Sequence, residues 1–150
     1  MIKSKHAILA YTAGIIDGEG CIRINKRHSN RCRVGFELQL NVRVRNTNEW
    51  LIRWLQFQFG GSIRSDKQKG NRKDAWEWCL GTRQALEFLK QILPYLQIKR
   101  PQAELAVEFQ RNKHFGRNRP LEQLAVEEAQ QLLMSNYNRR GKLKANSIVI

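Results

Sequence analysis

Between Phe36 and Arg45 the chain alternates without a break. Phe36, Leu38, Leu40, Val42 and Val44 are apolar, while Glu37, Gln39, Asn41, Arg43 and Arg45 are polar. A period of two marks a strand with one face buried. Ile22 to Arg27 alternates in the same way, Ile22 and Ile24 against Arg23, Asn25 and Arg27, and the polar cluster His28-Ser29-Asn30-Arg31 marks a turn between the two. Elsewhere the period lengthens. His6 to Asp17 predicts a short apolar helix rich in small residues that stops at Asp17-Gly18-Glu19-Gly20. Asn46-Thr47-Asn48-Glu49 offers capping side chains ahead of Trp50, Leu51, Trp54, Leu55 and Phe59, which recur at helical spacing up to Gly60-Gly61. Ser62 to Lys67 and Arg72 to Leu80 flank the loop Gln68-Lys69-Gly70-Asn71 and predict a second hairpin.

A third helix is predicted from Thr82 to about Leu93, closed by Pro94. Pro101 suits the first turn of a fourth, which buries Ala103, Leu105, Ala106, Val107 and Phe109. Lys113 to Arg119 is a basic loop. Pro120 opens a last amphipathic helix to about Leu133, with Leu121, Leu124, Ala125, Leu132 and Leu133 turned inward. Asn136 to Lys144 is a basic tail with no predicted structure. The order of elements predicts an α+β fold, an antiparallel sheet with helices packed on one face. Residues 1–150 read as one domain, with its core at about 7–135.

Against 27 basic residues stand 13 acidic ones, a formal net charge of +14. Such an excess calls for a polyanionic partner, and nucleic acid is the first candidate. A membrane surface is disfavoured, because no long apolar run or secretory pattern is seen and the basic residues are spread along strands. The polar face of the first hairpin bears Arg23, Asn25, Arg27, Glu37, Gln39, Asn41, Arg43 and Arg45. Arg matches guanine, Asn or Gln matches adenine and Glu matches cytosine in the major groove. In the second hairpin Arg64, Asp66, Gln68, Arg72 and Glu77 face DNA if Trp76, Trp78 and Leu80 point inward; the opposite phase would expose the tryptophans as a stacking surface. At about 3.3 Å per residue, a ten-residue strand spans roughly 33 Å, or about nine or ten base pairs. Lys113, Arg117 and Arg119 suit phosphate contacts. The cysteines, Cys21, Cys32 and Cys79, are far apart and suggest a reduced, intracellular protein without structural zinc.

The string Thr12-Ala13-Gly14-Ile15-Ile16-Asp17-Gly18-Glu19-Gly20 resembles the nine-residue motif of the LAGLIDADG homing endonucleases, with Thr12 for the first Leu and Glu19 for the second Asp. Leu93-Pro94-Tyr95-Leu96-Gln97-Ile98-Lys99-Arg100-Pro101-Gln102-Ala103 is similar to the segment that carries an active-site lysine in that family. The resemblance covers roughly residues 7 to 112. One copy of the motif, with no second half, implies a homodimer whose two copies of the first helix abut. Ala10, Ala13, Gly14 and Asp17 are then the expected dimer interface. The two Glu19 carboxylates would lie side by side and, with the Gly18 carbonyl, hold magnesium or manganese.

The implied chemistry is hydrolysis of DNA phosphodiesters, for which paired divalent metals activate water and stabilise charge. Glu19 is the candidate ligand and Lys99 the candidate charge stabiliser. Asn46, or Arg45 beside it, sits where the family places a water-organising side chain. Thr12 could weaken the helix pair or bond back to its own turn. His6, His28 and His114 show no metal-ligand spacing, which disfavours a histidine nuclease. The principal expectation is a site-specific, intron-encoded endonuclease cutting double-stranded DNA. Its rival is the same scaffold as an RNA maturase or as a DNA-binding protein that does not cut.

Overall fold

The computed structural model describes residues 3–113 and 119–139. In chain order the elements are α1 (Lys5–Glu19), β1 (Gly20–His28), β2 (Phe36–Asn46), α2 (Glu49–Phe59), β3 (Ser62–Asp66), β4 (Ala75–Gly81), α3 (Thr82–Ile92), a 3-10 turn (Leu93–Tyr95), α4 (Arg100–Arg111) and α5 (Leu121–Tyr137). The fold is α+β. Its strands form one antiparallel sheet in the order β1-β2-β4-β3.

Alternation divides the sheet into two chemically distinct faces. Ile22, Ile24, Leu38, Leu40, Val42, Val44, Trp78 and Leu80 are buried on one face. Against them pack Ile52 and Leu55 of α2, Ala85, Phe88, Leu89 and Ile92 of α3, and Ala103, Ala106 and Phe109 of α4. The inward phase of Trp78 is fixed by its indole N–H, which donates to the Gly60 carbonyl at 2.7 Å. Gly60 ends α2 with a φ of 73°, and Gly61 follows with a φ of 91°. A Cβ on Gly61 would stand 2.6 Å from the Cys79 carbonyl oxygen, so only glycine lets β4 run this close.

α1 buries Leu9, Thr12, Ala13 and Ile16 and turns Ala7, Ala10, Tyr11, Gly14 and Gly18 outward. It runs through Glu19, two residues beyond the predicted stop at Asp17, and passes into β1 with no loop. The Gly20 N–H donates to the carbonyls of Ile15 and Ile16, which keeps Gly18 and Glu19 helical. A Cβ on Gly20 would lie 2.7 Å from the Ile16 Cα, so that junction also requires glycine.

Three further differences have clear causes. The strands of the second hairpin are shorter than predicted, so Lys67 and Arg72 to Asp74 join Gln68 in the connecting loop, where the Gln68 N–H donates to Asp74 at 3.1 Å. α5 packs on its polar side: Glu127 and Gln130 are buried with Leu124 and Met134, while Leu121, Ala125, Leu132 and Leu133 are exposed. Arg119 draws Glu127 inward with a 3.1 Å ion pair. Arg119 is therefore no phosphate ligand. Neither is Lys113, whose buried ammonium donates to the Leu38 carbonyl and lies 5.2 Å from the Phe109 ring centroid. Arg117 and His114 fall outside the described residues, and no described helix is long and apolar enough to cross a membrane.

Candidate nucleic-acid interface and catalytic centre

Strand register sets the polar side chains in rows across the uncovered sheet face. Arg27 lies opposite Glu37, Asn25 opposite Gln39, and Arg23 opposite Asn41. Arg43 stands between Cys21 and Cys79, and Glu77 stands between Arg45 and Arg64. The acids on this face orient the donors around them. Glu37 accepts from Gln39 Nε2 at 2.7 Å, Asp66 from Arg45 at 2.6 Å and Glu77 from Arg64 at 3.0 Å. Arg43 donates through Nε to Asn41 at 2.5 Å and lies 3.7 Å from Glu77. These contacts are half-exposed or exposed, so their value is in preorganising donor geometry more than in stability.

Cys21, Cys79 and Ser62 share this face, beyond the residues expected on it. Their parity with Arg23 and Arg43 carries the signal. The Cys21 sulfur accepts from Arg23 Nε at 3.0 Å and the Cys79 sulfur from Asn41 Nδ2 at 3.3 Å. Trp76 lies with Trp78 on the helix side, so no tryptophan of this strand is offered for base stacking.

At the end of α1 the exposed Glu19 carboxylate accepts a hydrogen bond from Asn46 Nδ2. The other end of that amide is fixed too, since Asn46 Oδ1 accepts from the Asn48 N–H at 2.7 Å. Asn46 thus arrives from the end of β2 as a spacer holding Glu19. Arg45, the alternative for this position, points to the sheet face and pairs with Asp66.

Lys99 and Asp17 cross-cap two helices. The Asp17 carboxylate accepts the backbone N–H groups of Gln97, Ile98 and Lys99 at 2.9, 3.1 and 2.8 Å, ahead of α4. In return Lys99 Nζ donates to the carbonyls of Ile16, Asp17 and Gly20 at 2.8, 3.1 and 2.6 Å. A carboxylate at a helix N-terminus and an ammonium at a helix C-terminus both complement the helix dipole. The pair locks the junction of α1 and β1, where Glu19 stands.

This geometry corrects two of the expected interface residues. Ala13 has no exposed surface and Asp17 is committed to α4, so both face their own protomer. Thr12 is buried as well and donates to the Ile8 carbonyl at 2.7 Å, the back-bonded alternative. Ala10 and Gly14 do face outward, and a Cβ built on Gly14 or Gly18 meets nothing within 4 Å.

Comparison of the sequence with family models matches residues 12–115 to the LAGLIDADG endonuclease model. The chain belongs to the LAGLIDADG endonuclease family. Its fold resembles that of the homing endonuclease I-CvuI in complex with its target, with a TM-score of 0.75, 21% identity, and 92% of this chain and 85% of that chain covered. An archaeal intron-encoded homing endonuclease complexed with DNA matches with a TM-score of 0.75 at 15% identity, over 95% of this chain and 92% of that one. I-SmaMI, bound to cleaved DNA, matches with a TM-score of 0.62 at 14% identity, over 95% of this chain but 48% of its own. No curated protein sequence matches the chain.

Within this LAGLIDADG chain the only acid at the end of α1 free of a structural cap is Glu19. No group of three or more His, Cys, Asp or Glu side chains that could hold a metal occurs among the described residues. The Glu19 carboxylate and the Gly18 backbone are both exposed at the end of α1. Carboxylate and carbonyl oxygens are hard donors of the kind that magnesium or manganese takes.

Proposed function

We propose that the protein is a homodimeric, magnesium-dependent homing endonuclease that cuts both strands of DNA near the centre of a long pseudo-palindromic site. The observation that carries this reading is the direct passage of α1 into β1. It sets Glu19 between an uncharged helix face (Ala10, Gly14, Gly18) and a sheet face rich in Arg, Asn and Gln. A two-fold axis through the helix face would bring two Glu19 carboxylates together and align two sheets along one duplex. The 48% coverage of I-SmaMI, which leaves room in that chain for a second such unit, is consistent with the pair.

In this reading each residue has a defined task. Arg23, Asn25, Arg27, Gln39, Asn41, Arg43, Arg45 and Arg64 meet base edges and phosphates, with Glu37, Asp66 and Glu77 orienting them. Gln68 and Arg72 reach the duplex from their loop. Glu19 and the Gly18 carbonyl would hold the divalent cation, which when bound activates water and neutralises charge at the phosphate. Asn46 holds Glu19 in place. Lys99 fixes the helix end and adds positive charge beside the scissile phosphate.

The test begins with selection of a bound sequence from a randomised duplex library. Cleavage of that sequence is then followed in magnesium and in calcium, for the wild type and Glu19→Gln. The proposal requires cleavage in magnesium, loss of at least about 100-fold in Glu19→Gln, and DNA affinity preserved. Binding without cutting in magnesium, or preference for a structured intron RNA, would replace the endonuclease with a binding protein.

A further inference from the structure

The free face of α1 is too small to hold two protomers together unaided. Between the exposed Lys5 and His6 at its start and Glu19 at its end, its outward residues are Ala7, Ala10, Gly14 and Gly18, with Tyr11 the one large side chain. A standard interface takes about 800 Å² from each partner, and a single 15-residue helix lined with alanine and glycine falls well short of it. The missing area lies alongside. Tyr11 stands edge-on to Trp54 with ring centroids 5.3 Å apart, and Trp54 stacks on Trp50 at 6.4 Å. Trp50, Trp54 and Phe57 follow at helical spacing down one side of α2. Tyr11, Trp50 and Phe57 are 44%, 65% and 85% exposed. At about 150–250 Å² per aromatic side chain, they have on the order of 400 Å² still to bury.

Charge chooses the occupant. The chain carries a net +14, so two copies repel unless they meet through uncharged surface, and a nucleic acid would seek basic surface instead. The stripe is uncharged except for Arg53, which Glu49 neutralises at 2.7 Å on the same helix. Such a patch is self-complementary, as a two-fold contact demands.

We propose that Tyr11 with Trp50, Trp54 and Phe57 of α2 forms an aromatic flank that docks on the second copy of this chain and supplies most of the energy of the homodimer. The inference rests on the homodimeric reading above and extends it from the helix pair to α2. Buried aromatic anchors dominate interface energetics, while small residues let the helices approach. The flank would thus hold the two Glu19 side chains together without touching DNA or metal.

The test is sedimentation equilibrium of the free protein, wild type against the double variant Trp50→Glu/Phe57→Glu, with far-UV circular dichroism to confirm the fold. Both side chains are exposed, so the variant should keep the far-UV spectrum of the folded chain, with its melting temperature lowered only by the loss of the dimer. The expected result is a wild-type dimer whose dissociation constant rises at least about 100-fold in the variant. A folded variant that dimerises as tightly as wild type overturns the aromatic flank and leaves the homodimer standing. A wild type that stays monomeric at all concentrations and binds its duplex as a monomer overturns both. Should the variant misfold, the milder Trp50→Ala carries the same test, with at least about a tenfold rise expected.

Discussion

Replacing Lys99 by Met keeps most of the stem and removes the ammonium. Three hydrogen bonds to the carbonyls of Ile16, Asp17 and Gly20 go with it. A hydrogen bond to a charged group is worth about 1.5–3 kcal/mol when buried. Lys99 is only half-buried, so water recovers part of that loss, and about 3 kcal/mol is the expected cost in stability. For a chain of this size each kcal/mol lowers the melting temperature by about 2–4 °C, which predicts a drop of about 6–12 °C. Thermal denaturation followed by circular dichroism reads it directly. Asp17→Asn should destabilise through the same junction, and the double variant should cost at least about 1 kcal/mol less than the two singles summed. If Lys99→Met melts within about 2 °C of wild type, the ammonium does not hold the end of α1.

Two other substitutions probe the scaffold. Gly20→Ala should cost about 3 kcal/mol or more, read by urea denaturation, because its Cβ would stand 2.7 Å from the Ile16 Cα, backbone that cannot move aside; wild-type stability would refute that packing. Burial, reinforced by the nearby Arg119, lowers the pKa of Lys113 below the ordinary 10.5. The unfolded chain then binds the extra proton in the window below 10.5, so stability should rise as pH climbs through that window. Lys113→Met removes this contribution, and a melting temperature whose rise between neutral pH and about pH 10 is unchanged in the variant would contradict it.

The hairpins were legible because Phe36 to Arg45 alternates without interruption and each slip of register would bury an arginine. The same parity places Arg23, Asn41 and Arg64 on one face, and Cys21, Cys79 and Ser62 share it, although their small side chains give no charge signal. α1 outruns the stop expected at Asp17, because glycines signal a stop while the Gly20 N–H and the Lys99 ammonium sustain the last turn. Asp17 and Ala13 were misassigned for a different reason. Their partners lie on the core side, and the Asp17–Lys99 exchange joins residues more than 80 positions apart, which no local pattern reports. In α5 the periodicity holds at Leu124 but fails at Leu121, Ala125, Leu132 and Leu133, since a buried Arg119–Glu127 pair turns the polar side inward.

In the proposed enzyme, cutting needs two Glu19 side chains, one from each copy. Mixing wild type with Glu19→Gln in equal amounts, re-equilibrating, and scoring a plasmid carrying the selected site tests it in one gel. Shared chemistry predicts that only pure wild-type pairs act, so about one quarter of the dimers linearise the plasmid and nicked circles do not accumulate. Mixed pairs that nick one strand, giving nicked circles from about half of the dimers, would show that each protomer cuts alone.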